Sequence, residues 1–238
     1  MRRGSGFQRR RAALVIFVLA LAVSVLFSGC NGKQNPKQDV VIWDVEHKPV
    51  FSPDAFSTFI STLESSGLVV IQGGTGDISA AGGYIIAGPT KRFEEDEVKQ
   101  IEEFVRKGGK LVIMVHIPPS NLKPLLDTFD IEVSQEPLKE KDVMASPMAS
   151  PVSSHVLTEG VNKIMLYGCF RVSNAIFTAN EENKRNDGNI GVVGYVLYGD
   201  GEVMVIGDDA LFINEYINSY DNLDFAQNVA EWLGLRSV

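Results

Sequence analysis

The chain has 238 residues, of which 45% are hydrophobic, and its 30 acidic residues against 22 basic ones give a net charge of −8. That balance argues against a polyanion partner, and so against nucleic acid. Its two cysteines, Cys30 and Cys169, exclude a disulfide-stapled scaffold, so the fold has to rest on its core.

The first residues, MRRGSGFQRRRAALVIFVLALAVSVLFSGC, place five arginines and no acid ahead of an apolar run from Ala12 to Phe27. This order, positive end then hydrophobic core, is that of a signal peptide over residues 1–29. The run is short of the ~20 residues that cross a bilayer comfortably, and an uncleaved signal anchor is the alternative. Phe27-Ser28-Gly29-Cys30 resembles a lipobox, which implies lipidation of Cys30 as the new N-terminus and a membrane-anchored, extracytoplasmic location. One acyl chain holds a membrane only marginally, so a stable anchor requires two chains on Cys30. Cleavage there takes five arginines from a charge of −8 and leaves −13.

Residues 31–38 (NGKQNPKQ) read as a polar tether, and one α/β domain is expected over 39–238. Val40 to Trp43 is a short β-branched run between charges, the form of a strand buried on both faces, and it ends in Asp44-Val45-Glu46-His47. Ser52-Pro53 starts a helix that closes near Gly67. Leu68 to Ile71 is a second strand, Gln72 to Gly83 a glycine-rich loop, and Tyr84 to Pro89 a third strand.

FEEDEVKQIEEFVRKGG is an amphipathic helix with an acidic first turn, a basic last turn and Gly108 as its stop. KLVIMVH is a fourth strand, followed by a helix over Leu122 to Phe129. This alternation predicts a mostly parallel sheet with helices on both faces. Beyond it, Met144 to Ser154 reads as a Ser/Ala/Pro-rich loop, Ile164 to Leu166 and Ala175 to Thr178 as short strands, and Glu181 to Asn189 as a solvated loop. Ile190 to Tyr198 and Glu202 to Ile206 flank a Gly199-Asp200-Gly201 turn and make a C-terminal hairpin. A helix over Asn222 to Leu233 closes the chain.

YIIAGPTKRFEEDEVKQIEEFVRKGGKLVIM, SHVLTEGVNKI, YGDGEVMVIGDDALFIN and DNLDFAQNVAEWL, in that order and with the opening VVIWDVEHKPVF, resemble a domain family of unknown function in the class I glutamine amidotransferase-like superfamily. The resemblance implies a flavodoxin-like three-layer sandwich. It also implies kinship with non-catalytic modules of ciliary and gliding-motility transport systems. Enzymes of the superfamily carry a nucleophilic cysteine in a sharp turn after a strand, with backbone amides as its oxyanion hole. Here the matching strand KLVIMV runs into His116-Ile117-Pro118-Pro119, with no Cys or Ser at the tip and two prolines that lack an N–H.

The candidate ligand-binding residues are the polar groups at strand ends: Asp44 and His47, His116, and Asp208 with Asp209. They are the residue types that hold a divalent metal, but aspartates after strands also cap helices and hold loop amides. Cys169 reads as a buried small hydrophobe, and GGTGDISAAGG as a connection without the Lys-Ser/Thr of a phosphate loop. No cofactor is implied. The expectation is a lipoprotein whose non-catalytic domain binds a protein partner or ligand in an envelope or transport assembly. The alternatives are a metal-assisted hydrolase using Asp44, His47, His116 and Asp208, and a solute-binding component of a transporter.

Overall fold

The computed structural model describes residues 39–116, 119–140, 143–144, 146–179 and 190–235. The signal, tether and Cys30 readings, and the loop at 181–189, lie outside the described residues. Among those described, no helix is long and apolar enough to cross a membrane.

The centre is a mixed sheet of nine strands. Five are parallel: β2 (Val69–Gly73), β1 (Val40–Asp44), β3 (Gly83–Ala87), β4 (Lys110–Met114) and β13 (Gly201–Ile206), in that spatial order. Antiparallel β12 (Ile190–Tyr198), β11 (Ala175–Ala179), β8 (Met148–Pro151) and β9 (Ile164–Met165) extend it from the β13 side. The last parallel strand therefore comes from near the end of the chain, and the expectation of a mostly parallel sheet holds for one half only. β8 is a second departure, since it falls inside the stretch read as a loop. Its Met-Ala-Ser-Pro sequence has little strand preference, and pairing with both β11 and β9 supplies what propensity does not.

Helices α1 (Ser57–Ser65) and α4 (Asn222–Gly234) cover one face of the sheet, burying Phe59, Leu63, Phe225, Val229 and Trp232 against Val41, Trp43, Ile85 and Met204. On the other face, α2 (Glu95–Arg106) and α3 (Lys123–Thr128) pack Val98, Ile101, Val105, Leu125 and Leu126 over Ile42, Tyr84, Ile113 and Val205. The alternation of side chains along each strand feeds both cores, which is why these strands read as continuous apolar runs. α2 begins with a capping box in which the Glu94 amide donates to Glu97 Oε2 at 2.7 Å, and it stops at Gly108 with φ +98°. Between β2 and β3 the chain makes a 3₁₀ segment, Thr75–Ala80, and among the described residues no α-helix connects these two strands.

One buried polar network fastens α4 to the sheet. Lys110, at the start of β4 and 2% exposed, donates through Nζ to the carbonyls of Trp232 and Leu235 at the end of α4. The same ammonium sits 3.5 Å from Glu202 of β13 and 5.4 Å above the Trp232 ring. Glu202 in turn accepts from Trp232 Nε1 and the Tyr195 hydroxyl, both at 2.6 Å. Burial lowers the Lys110 ammonium's pKa while Glu202 pulls the other way. Breaking a buried pair from one side strands the other charge, so Lys110→Met should cost about 3 kcal/mol in urea denaturation, and adding Glu202→Gln should recover part of that loss.

Candidate functional site

Because β1, β3, β4 and β13 run parallel and side by side, the residues that follow them gather along one edge of the sheet. All five candidate residues are there. They form two separate pairs, with Asp208 beside the second but hydrogen-bonded to neither of its members.

The first pair lies on the α2 face. His47 Nδ1 is 3.0 Å from both carboxylate oxygens of Asp44, while its Nε2 makes an ion-pair contact of 3.3 Å with Glu97 Oε2, off the line of a hydrogen bond. The ring stacks on Phe93 at 3.6 Å and is fully buried. Burial lowers the imidazole's pKa, but Asp44 and Glu97 together outweigh it and leave the value raised. The Tyr84 hydroxyl is buried on the same side without a well-placed partner, and burial followed by the Asp44 charge pushes it above the phenol range.

The second pair lies towards the opposite face. His116 Nδ1 is 2.7 Å from Asp209 Oδ1, and its ring meets Phe51 edge-on at 5.0 Å, with Phe51 resting in turn on Phe56 of the α1 core. His116 is 30% exposed while Asp209 is fully buried, and the bond to Asp209 raises the imidazole's pKa. Asp208 is held by loop amides, accepting from the backbone of Tyr167 at 2.6 Å and Ala210 at 2.9 Å. Burial pushes its carboxyl up to about 7.

Between the pairs runs a seam of backbone. The loop after β1 and the loop after β3 are fastened together: the Val50 amide donates to Gly88 O at 2.9 Å, and the amides of Thr90 and Lys91 both donate to His47 O at 3.0 Å. Thr90 Oγ1 donates to Lys48 O at 2.7 Å, and Pro49 and Pro89 form a β-bridge. This seam crosses the place where strand order reverses, β1 leading outward to β2 and β3 inward to β4, which is where open α/β sheets take their ligands.

The arrangement does not assemble the metal constellation considered from sequence. His47 and His116 lie to either side of residues 88–91, each with its own carboxylate, and among the described residues no group of three or more His, Cys, Asp or Glu is arranged to hold an ion. Cys169 is fully buried, donates to Phe170 O at 3.2 Å, and burial with the nearby Asp208 raises its thiol's pKa well above the usual range, which removes thiolate character. Three participants escaped the sequence reading. Glu97 read as one of several first-turn acids, Phe93 as a helix flank and Gly88 as a strand end; the capping-box spacing of Glu94 and Glu97 was the one available signal.

The chain has three histidines, and their surroundings separate them. His47 and His116 should titrate above 6.5 by NMR, and His155, lowered chiefly by burial, below it. Asp209→Asn should return His116 towards 6.5 and leave His47 in place. A raised folded-state pKa stabilises fully below the unfolded value and loses that contribution as pH rises through the folded one. For Asp208 that loss runs from the ordinary carboxylate value of 3.8 up to about 7, and for His47 and His116 it begins at 6.5, so all three act in the same direction and the urea midpoint should fall as pH rises above about 4 through neutrality.

The fold is similar to that of the N-terminal domain of mmIFT52, with a TM-score of 0.69 and 14% identity over 83% of this chain and 99% of that one. It is also similar to a ThuA-like protein from Bacteroides uniformis, with a TM-score of 0.53 and 11% identity over 84% of this chain and 92% of the other. A β-galactosidase from the haloarchaeon Halorubrum lacusprofundi aligns at a TM-score of 0.56 and 15% identity, over 84% of this chain but 30% of the enzyme. At these identities the likeness is one of fold alone. No curated protein sequence matches the chain. Residues 52–230 match the family described as "Domain of unknown function (DUF4350)", and the chain belongs to that family.

Proposed function

We propose that this protein is a lipoprotein anchored through Cys30 on the extracytoplasmic side of a membrane, and that its domain binds a partner protein in an envelope or transport assembly without catalysing a reaction. The observation that carries the non-catalytic reading is the seam itself. Where a doubly wound sheet opens to receive a substrate, the loops after β1 and β3 hydrogen-bond to each other and His47 packs between Asp44, Glu97 and Phe93. A glutaminase also needs an activated nucleophile beyond β4, and the residue there is His116, paired to Asp209.

The strand order β2-β1-β3-β4-β13, with two helices on each face, supports a flavodoxin-like three-layer arrangement. With the quoted sequence stretches, it also supports a place in the glutamine amidotransferase-like superfamily. The edge offers a partner a mixed surface, with Val50 39% exposed and His116 partly so, next to Phe51. An apolar patch with an ionisable rim suits a protein contact better than a small polar substrate.

In cell fractionation, wild-type protein should sediment with membranes and carry a lipid-modified Cys30 by mass spectrometry, while Cys30→Ser should leave the lipid mass absent; an intact Met1 would overturn the anchor. Affinity capture from detergent-solubilised membranes should retain a protein that Val50→Asp loses. Release of ammonia from glutamine by the purified chain would overturn the non-catalytic reading.

A further inference from the structure

β2 is one border of the nine-stranded sheet and, among the described residues, pairs with β1 alone. Borders of this kind are normally guarded by a charge, a proline or a covering element. Here the sequence from Ser65 to Gly76 carries no charged residue and no proline, in a chain of net charge −8. On the α2 face the 3₁₀ connection Thr75–Ala80 leaves Val69 53% and Ile71 45% exposed. We propose that β2 is a self-association surface, pairing antiparallel with β2 of a second copy about a two-fold axis at Ile71.

The hydrogen bonds already made fix which groups face outward. The Val69 amide donates to Asp39 O, and Gly73 O accepts from the Val45 amide, so Val69, Ile71 and Gly73 direct their backbone groups at β1. By alternation, the N–H and C=O of Val70 and Gln72 point to the free border. The residues flanking these are already engaged, Leu68 N with Leu63 O and Gly74 N with Asp77 Oδ2.

A two-fold axis at Ile71 sets Val70 opposite Gln72 of the second copy and Gln72 opposite Val70. Both are then hydrogen-bonded pairs, and every outward group is satisfied. Ile71 faces Ile71 in the intervening non-hydrogen-bonded pair, where side chains approach most closely, and Val69 lies opposite a glycine. The exposed isoleucines thus bury each other. An acidic chain repels its copies generally, and across β2 itself that repulsion is weakest, because the nearest carboxylates, Asp77 beside Gly73 and Glu46 beside Gly74, lie at its C-terminal end. A closed two-fold contact also ends at two copies, whereas an unguarded border joined head to tail does not. This inference is independent of the lipoprotein reading.

The register gives a discriminating test on the full chain in detergent. Directly opposed residues of a non-hydrogen-bonded pair have Cα atoms about 4.5 Å apart, within disulfide reach. Ile71→Cys should form a reducible dimer under mild oxidation. Val69→Cys, at least as exposed but opposite Gly73, should not.

Gln72→Pro deletes one outward N–H and no bond to β1, so in the Ile71→Cys background it should abolish the crosslink, while Gln72→Thr keeps it. Equal crosslinking of the two cysteine variants, or a crosslink that survives Gln72→Pro, overturns the proposal. So does a monomer by sedimentation whose Gln72 amide is protected from hydrogen exchange, since that outcome means another segment of the same chain covers β2.

Discussion

The sheet edge is organised around a single position without a side chain. Gly88 takes φ +52°, and a Cβ there would lie 2.4 Å from Asp209 Oδ2 and 2.9 Å from the Cβ of His116. Any other residue would be strained in its backbone and would also displace the Asp209–His116 pair. From this point the Gly88 carbonyl reaches Val50, which brings the loop after β1 across the edge and lets His47 settle on Phe93. The seam and the placing of the two imidazole–carboxylate pairs on either side of it thus depend on one close backbone approach.

Both pairs put charge in places where charge is costly, and they do it with different degrees of exposure. His47 is enclosed and held from two sides, by Asp44 and by Glu97, which also serves the first turn of α2. That double duty joins the loop after β1 to the first turn of α2. His116 is held from one side and keeps part of its ring in solvent. The first pair is therefore suited to holding a loop, and the second to meeting another molecule.

Much of the parallel half was legible in the sequence because its strands are short, β-branched and bounded by charges, and because α2 announces both ends with Glu94, Glu97 and Gly108. The gathering of Asp44, His47, His116, Asp208 and Asp209 at one edge was legible only on the condition that their strands are parallel neighbours, which the sheet order meets. Their division into two pairs was not. It depends on a turn through Lys48, which takes φ +50°, a conformation that a lysine does not signal. β8 was illegible for another reason, since a strand defined by its neighbours carries little pattern of its own. β5 (Val133–Pro137) and β10 (Phe170–Val172), which pair apart from the main sheet, are too short and irregular in register for periodicity to reveal.

The position of Lys110 bears on how the molecule comes into being. It opens the fourth strand, yet the carbonyls that receive its ammonium belong to residues 232 and 235, and its carboxylate partner sits on a strand that begins at residue 201. During synthesis from the N-terminus, that lysine meets these partners only once residues 202–235 have emerged. The domain is built to fold late and all at once, around contacts of high sequence separation, and its nascent sheet has to be kept from other edges in the meantime.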